Sequence, residues 1–125
     1  MAPSSVDGVT DPADCLFCRI VLGGVPADIV HRSETVLAFR DISPQAPLHV
    51  LVIPVVHIEH AGEVGDGHGE VLVEMLEVAR TVAEAEGAWP SGYRLVFNVG
   101  EDALNSVPHL HLHVIGGRPL TGSLG

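Results

Sequence analysis

The chain has 125 residues and a mass of 13.1 kDa, which is enough for one domain but not for two. Its hydrophobic content of 46% excludes wholesale disorder, and its longest apolar run, residues 50–56, is too short to span a membrane. A net charge of −10, with six arginines and no lysine, argues against general binding to nucleic acids or anionic membranes, which requires clustered cations.

Residues 1–14 are polar and acidic and lack the basic start and apolar stretch of a signal peptide, so a cytoplasmic location is expected. Small and polar residues without periodicity at positions 1–10 predict a flexible N-terminal tail, followed by a single domain over residues 11–125. Two cysteines in such a chain are expected to be reduced thiols or metal ligands rather than a disulfide framework.

The first predicted element is a short helix after the tail. Asp11 as a cap and Pro12 at the first helical position predict its start, and the pair Gly23–Gly24 predicts its end. Three strands, rich in β-branched and apolar residues, are predicted to follow. They cover residues 29–31, 36–42 and 49–55.

The clearest helical pattern covers residues 70–86, where apolar side chains recur at intervals of three and four residues and Gly87 provides a stop. A second apolar stripe on this helix, formed by Val71, Val78 and Ala85, exceeds what one sheet-facing side requires and predicts a partner surface. Strands at residues 93–99 and 109–115 complete the pattern. The element order predicts an α+β domain with two helices and a five-stranded, mainly antiparallel sheet.

Three histidines near the C-terminus alternate with aliphatic residues. Successive side chains of a strand point to opposite faces, so His109, His111 and His113 would project to one side. At a rise of about 3.3 Å per residue the outer two lie roughly 13 Å apart, too far for one metal ion to collect all three. They are either the exposed polar face of an ordinary strand or a row of imidazoles along a groove, which suits phosphoryl or nucleotidyl transfer.

The two cysteines form a Cys-x-x-Cys motif near the predicted start of the first helix. Cys15 and Cys18 could be a redox pair, half of a zinc site, or two small buried apolar residues. A structural zinc ion needs four ligands, so two more must be found. His57 and His60 follow the strand that contains Pro54, and His109 opens the histidine row.

Two segments of the chain resemble the histidine-triad family. Its His-φ-His-φ-His-φ-φ signature is matched by NSVPHLHLHV at residues 105–114, and its Hint-like, nucleotide-binding branch resembles FRDISPQAPLHVLVIP at residues 39–54. The resemblance extends from about Cys15 to Pro119. It implies a symmetric homodimer whose two five-stranded sheets join into one of ten strands, and AMP-like purine nucleotides as ligands. It also implies hydrolysis of nucleoside phosphoramidates or related nucleotidyl conjugates through a covalent nucleotidyl-histidine.

Carried over by position, the resemblance implies a role for each site residue. His111 matches the nucleophile, His113 the residue that contacts the phosphate oxygens, and Ser106 a hydroxyl close to the leaving group. His49 matches a polar group beside the phosphate, and Asp41 matches the carboxylate that binds the ribose hydroxyls. The remaining nucleotide-binding positions are Phe17, Phe39, Ile42, Leu51, Asn98 and Asn105.

The chain departs from the Hint-like pattern at two positions beside Ser106. Asn105 stands where the pattern usually has glutamine, and Leu104 stands where it has glycine. The shorter amide and the bulkier neighbour concern the leaving-group pocket and do not affect the nucleophile. The substrate preference of relatives is therefore not carried over.

The same resemblance chooses among the alternatives for the cysteines. Some bacterial triad proteins bind a structural zinc ion through a Cys-x-x-Cys motif, a histidine after the Ile-Pro strand and the first histidine of the signature. By position, these ligands are Cys15, Cys18, His57 and His109. This arrangement leaves His111 and His113 free for chemistry.

Two other functions remain as alternatives. One is a dinucleoside polyphosphate hydrolase, although its longer substrate would need cationic contacts that this arginine-poor chain scarcely offers. The other is a non-catalytic interaction protein that binds nucleotides. A covalent nucleotidyl adduct on His111 distinguishes an enzyme from such a binding protein.

Overall fold

In the computed structural model, which describes residues 14–122, five strands form one antiparallel sheet that is flanked by two helices. The elements are α1 (Leu16–Val21), β1 (Ile29–Arg32), β2 (Val36–Arg40), β3 (Leu48–Pro54), α2 (Gly69–Ala85), β4 (Tyr93–Val96) and β5 (Leu112–Gly116). The strand order is β1-β2-β3-β5-β4, which confirms the predicted α+β class. Within residues 14–122, no helix is long and apolar enough to cross a bilayer.

Both faces of the sheet are covered, because neighbouring side chains along β2 and β3 point to opposite sides. Leu37, Phe39, Leu51 and Ile53 face α1 and pack with its apolar residues. The other face packs against α2 and carries Val36, Ala38, Val50 and Val52. His113 of β5 pairs with Leu51, so its imidazole lies on the α1 side of the sheet.

The predicted helix α2 is confirmed, but its second apolar stripe does not form a free surface. Val78 is buried in the core and Val71 packs against it, whereas Ala85 is exposed. Val78 lies four residues before the buried Val82, so both side chains lie on the sheet-facing side. Leu76 shares the apolar spacing of the predicted helix with the buried Met75 and Ala79, but its side chain is 46% exposed.

Helix α1 begins directly after Cys15. Cys15 has an extended backbone (φ −83°, ψ 122°), and its Sγ accepts a hydrogen bond from the Cys18 N–H at 3.4 Å, so the cysteine caps a helix that starts at Leu16. The predicted start at Asp11 and Pro12 and the predicted tail at residues 1–10 lie outside the described residues. Two predicted strands were too long, since β2 ends at Arg40 and β4 at Val96.

The histidine strand is also shorter than predicted, because β5 begins at Leu112 rather than at His109. The last pair of the β3–β5 ladder is Val52 with Leu112. Before it, the Leu110 N–H donates to the Ile58 carbonyl at 2.6 Å, in the segment after β3. His109 therefore precedes β5.

Candidate functional site

A cleft of about 380 Å³ lies beside α1 on the sheet face that carries His113. Its apolar end includes Phe17 and Phe39, whose rings meet edge to face with centroids 5.4 Å apart. Polar side chains, including Asp41 and His111, line another part of the wall. This combination of apolar and convergent polar groups is typical of a small-molecule site.

The cleft brings together most of the predicted site residues. Its wall includes Phe17, Phe39, Asp41, Ile42, Leu51, Asn98, Ser106, His111 and His113. His49 and Asn105 do not line it: His49 is buried behind His113, and the Asn105 side chain has a buried Oδ1 atom without a hydrogen-bond partner among the described residues.

Several lining residues were not predicted from the sequence. They are Leu16, Ile20, Val25, Pro26, Ala27, Arg40, Leu104 and Val107. Helical spacing carried a signal for one of them, because Ile20 follows Phe17 by three residues and therefore shares its side of α1. For Leu104 the sequence offered only its departure from the usual glycine.

The hydrogen bonds of His111 determine which of its nitrogens is protonated. Its Nδ1 lies 2.7 Å from the carbonyl oxygen of His109, which can only accept a hydrogen bond. Nδ1 therefore carries the proton, and in the neutral ring Nε2 carries a free lone pair. Burial lowers the pKa of His111, which keeps the imidazole neutral and nucleophilic near neutral pH.

His49 determines the tautomer of His113 in the same way. The Gln45 N–H donates to His49 Nδ1 at 3.0 Å, so the proton of the neutral His49 ring lies on Nε2. That Nε2 lies 2.9 Å from His113 Nδ1 and donates to it. The proton of His113 is consequently on Nε2, a buried atom without a partner among the described residues and suited to donate to a ligand oxygen.

The pKa values of this histidine pair are both lowered. Burial, with smaller contributions from His111 and His49, lowers the pKa of His113 to about 4. Burial also lowers the pKa of His49, against the opposing effect of the Asp41 carboxylate, whose Oδ2 lies 3.5 Å from His49 Nε2. Both rings are therefore neutral near pH 7, as the hydrogen-bond pattern requires.

Asp41 stands where β2 passes into a turn at the polar side of the cleft. Its Oδ1 accepts a hydrogen bond from the Ser43 N–H at 2.7 Å, which orients the carboxylate. A carboxylate has acceptor capacity for two neighbouring hydroxyls, such as those of a ribose. Asp41 thus has the chemistry expected of a ribose-binding residue.

The four predicted metal ligands converge in a separate cluster. Nitrogen and sulfur atoms of Cys15, Cys18, His57 and His109 all lie within 4.8 Å of one another. Three S···N distances are 3.3–3.4 Å, close to the roughly 3.6 Å that tetrahedral zinc bonds would produce. His109 Nε2 donates to the Pro54 carbonyl at 2.8 Å, so its Nδ1 lone pair faces the sulfurs.

The charge state of the cluster also fits a metal site. Burial and the neighbouring Cys15 raise the pKa of Cys18 to about 12, so in the bare protein this thiol stays protonated. Burial lowers the pKa of His109 to about 4, which keeps its ring in the neutral form that metals bind. A divalent cation would stabilise the Cys18 thiolate that burial disfavours. The residues present therefore fit a zinc ion.

Comparisons with known proteins decide the family. A family model described as the HIT domain matches residues 23–120. The chain belongs to the HIT domain family. The purine nucleoside phosphoramidase of Escherichia coli K12 is 43% identical to this HIT domain over 107 residues, which cover 86% of this chain and 90% of the relative. A 14 kDa zinc-binding protein of Zea mays is 42% identical over 112 residues, covering 88% and 87% of the two chains.

Solved structures of HIT proteins agree with this assignment. A HIT family hydrolase from Legionella pneumophila Philadelphia 1 superposes with a TM-score of 0.87 at 47% identity, covering 90% of this chain and all of the other. A second HIT family hydrolase, from Clostridium thermocellum, superposes with a TM-score of 0.86 at 38% identity, and the match covers 90% of this chain and 97% of the other. The predicted family resemblance is confirmed.

Proposed function

We propose that this HIT-domain protein is a purine nucleotide-binding hydrolase that cleaves nucleoside phosphoramidates, or related nucleotidyl conjugates, and releases a nucleoside monophosphate. The proposal rests chiefly on the hydrogen bond from His111 Nδ1 to the His109 carbonyl, which leaves the Nε2 lone pair of a lining imidazole free. The 43% identity to a purine nucleoside phosphoramidase supports the substrate class.

The cleft offers complementary groups for each part of such a nucleotide. The purine ring would lie at the apolar end, against Phe17, Phe39 and Leu51. Asp41 would accept hydrogen bonds from the ribose hydroxyls, and the phosphate would lie near His113. With this order along the cleft, the phosphorus atom would lie beside His111.

The chemistry would proceed in two displacements at phosphorus. His111 Nε2 forms a bond to phosphorus as the bond to the leaving amine breaks, and the amine departs with a proton taken from solvent. His113 Nε2–H donates to a phosphate oxygen, and the Ser106 hydroxyl supports the leaving group. Water then attacks phosphorus, loses a proton, breaks the bond to Nε2 and restores the neutral imidazole.

The cations of the cleft argue against a longer polyphosphate substrate. Among the described lining residues, Arg40 is the one arginine, and none is lysine. Its guanidinium is already paired, with Glu86 at 2.9 Å and Asp28 at 3.5 Å. A dinucleoside polyphosphate would therefore find little positive charge to neutralise its additional phosphates.

We infer that zinc occupies the four-residue cluster as a structural ion. The contacts within the cluster support this, as does the 42% identity to a protein named for zinc binding. When bound, zinc would supply a closed tetrahedral cross-link between α1, the segment after β3 and the segment before β5. His111 and His113 do not belong to the cluster.

We also infer a cytoplasmic homodimer. Leu95 of the edge strand β4 pairs with Val114, whose side chain packs on the α2 side, so Leu95 projects to that side as well. Leu95, Leu76 and Val73 are 40–56% exposed, which is costly for apolar residues unless a partner covers them. The free, buried thiols of Cys15 and Cys18 suit a reducing compartment.

Turnover of a purine nucleoside phosphoramidate by wild type and by His111→Gly tests the proposal. We expect the variant to lose at least about a thousandfold in kcat, because its nucleophile is gone, while AMP binding survives. The matched control His60→Gly removes an imidazole outside the cleft and should retain activity.

Three outcomes of this experiment would contradict the proposal. Residual activity of His111→Gly within tenfold of wild type would exclude the covalent mechanism. Faster cleavage of a dinucleoside polyphosphate than of any phosphoramidate would favour the polyphosphate hydrolase. AMP binding without turnover of any conjugate would favour a non-catalytic binding protein.

A further inference from the structure

Leu104 has a backbone conformation that leucine rarely adopts. Its φ and ψ are 63° and 30°, in the left-handed region, whereas every other described residue with positive φ is a glycine. Two main-chain hydrogen bonds of the preceding three-residue turn hold Leu104 in this conformation. Its own N–H donates to the Glu101 carbonyl at 2.9 Å, and the Asn105 N–H donates to the Gly100 carbonyl at 3.1 Å. A glycine would adopt this conformation without strain.

Packing within the protein does not explain this leucine either. Its side chain is 84% exposed and belongs to neither of the two apolar clusters of the sheet. It nevertheless contributes to the wall of the cleft, together with Ser106 and His113. A strained, exposed apolar side chain at the rim of a site stabilises nothing in the free protein, and such outliers point to a function.

The position of Leu104 relates it to the leaving group rather than to the base. Val107 packs with the apolar cluster of Phe17 and Phe39, at the end of the cleft that suits a purine. Leu104 lies outside that cluster, two residues before the Ser106 hydroxyl. In an in-line displacement the leaving group departs away from the attacking His111 Nε2, toward the side on which Ser106 is proposed to act.

We propose that Leu104 is a specificity-determining residue, which favours nucleotidyl conjugates whose leaving amine carries an extended apolar chain. This inference rests on the proposed hydrolase function. An alkyl or arylalkyl chain leaving the cleft would cover the leucine and remove apolar surface from water on both partners. Glu101 and Asp102 lie on the same turn and would attract a cationic chain instead, but both are exposed and screened by solvent.

A chain-length series tests the proposal. The substrates are AMP phosphoramidates of ethylamine, butylamine and hexylamine. The AMP phosphoramidate of 1,6-diaminohexane serves as the cationic arm, with a chain as long as hexyl that ends in an ammonium group. For wild type we expect kcat/KM to rise about tenfold from ethyl to hexyl, less than full burial of four methylenes would produce, because leucine covers only one side of the chain. The cationic arm should be a poorer substrate than hexyl.

Two variants and one control isolate the side chain. Leu104→Gly suits the left-handed backbone and should fold, and Leu104→Ala keeps the backbone strain without the isobutyl group. In both, the ethyl-to-hexyl ratio should fall below about threefold. Leu22→Ala removes a leucine that is equally exposed, at 82%, but lies outside the cleft, so it should keep the wild-type ratio.

The outcomes separate this inference from the proposed function. A flat series in wild type, an unchanged ratio in both Leu104 variants, or a preference for the cationic arm would overturn the role of Leu104 while leaving the hydrolase intact. Failure of wild type to cleave any conjugate would instead overturn the proposed function and the inference together.

Discussion

Hydrogen bonds orient three neighbouring imidazoles of this HIT domain in three different ways, two through main-chain carbonyls and one through another histidine. The Pro54 carbonyl turns the Nδ1 lone pair of His109 toward the cysteines, and the His109 carbonyl leaves the Nε2 lone pair of His111 free. His113 receives its orientation from His49, and its Nε2 becomes a donor. Because each ring is neutral, the position of a single proton decides whether its available nitrogen accepts or donates, which suits the proposed roles of metal ligand, nucleophile and hydrogen-bond donor.

The lowered pKa of His113 predicts a contribution to the pH dependence of stability. Its pKa is about 4 in the folded protein, against 6.5 when unfolded, so between these values the unfolded chain binds more protons. The stabilising contribution of the neutral ring is therefore complete above about pH 6.5 and is lost as the pH falls toward 4. His113→Asn should lose less free energy of unfolding than wild type between about pH 7 and about pH 5.

Urea unfolding of both proteins at the two pH values measures this difference. Comparing the two losses removes the contributions of all other titrating groups that the proteins share. An equal or larger loss in His113→Asn would contradict the lowered pKa.

Helix α1 connects the Cys–His cluster to the cleft that carries His111. It has only six residues, too few for a helix to be stable by itself. Cys15 and Cys18 join it to the histidines of the cluster, while the Phe17 ring between them lies 5.1 Å from the His111 ring, edge to face. The position of one wall of the cleft therefore depends on the cluster.

Removal of one thiolate is expected to destabilise this connection. Wild type is expected to hold about one zinc ion per subunit, and Cys15→Ser should hold less. The melting temperature of the variant should fall by on the order of 10 °C, because the bound ion contributes folding free energy. The molecules that remain folded should retain the chemistry of His111. Elemental analysis and thermal unfolding measure the two losses.

The control for this variant is His60→Gly, since His60 lies three residues after His57 but outside the cluster. It should keep its zinc. Two results together would contradict the zinc site. They are far less than one zinc per subunit in wild type purified without a chelator, and prompt reaction of both cysteines with a thiol reagent in the folded protein. The cysteines would then be packed apolar residues.

Secondary structure could be predicted where a periodicity spans a whole element. The spacing along α2 and the β-branched runs of β2 and β3 located these elements within a few residues. Two features were not predicted: Leu110 bonds to Ile58 instead of extending β5, and Val78 faces the sheet. The first depends on a tertiary contact that leaves no local signal, whereas the four-residue spacing of Val78 and Val82 was available in the sequence.

The exposed apolar residues on α2 and β4 predict that the whole molecule self-associates. β4 is an edge strand whose outer backbone groups are free to pair, and Leu95, Leu76 and Val73 are exposed on β4 and α2. Sedimentation equilibrium at micromolar concentration should give about twice the 13.1 kDa mass of the chain. A mass near that of one chain would refute the dimer.

A charge at this surface should weaken the dimer. Leu95→Lys places an ammonium group where the partner subunit is expected to cover apolar surface. The dissociation constant of the variant homodimer should therefore rise at least about tenfold. Leu22→Lys, at an exposed position away from β4 and α2, should sediment like wild type. Equal dissociation of both variants would contradict this location of the interface.

The site could be predicted from the sequence wherever a motif defines it. Histidine spacing and the segment after Phe39 identified most of the polar wall, and the four predicted metal ligands lie together in one cluster. The position of His49 behind His113 and the left-handed Leu104 could not be predicted. They depend on the register of β3 with β5 and on the turn before Asn105, which involve contacts between distant segments or strained backbone.

The proposed mechanism makes His111 a covalent nucleophile. The most direct test is to quench wild type during turnover of a slow purine nucleoside phosphoramidate and to map the modified peptide by mass spectrometry under non-acidic conditions. We expect an added mass of one nucleoside monophosphate less water on the His111 peptide, absent from His111→Gly. Turnover with no adduct, or an adduct that persists in His111→Gly, would contradict it.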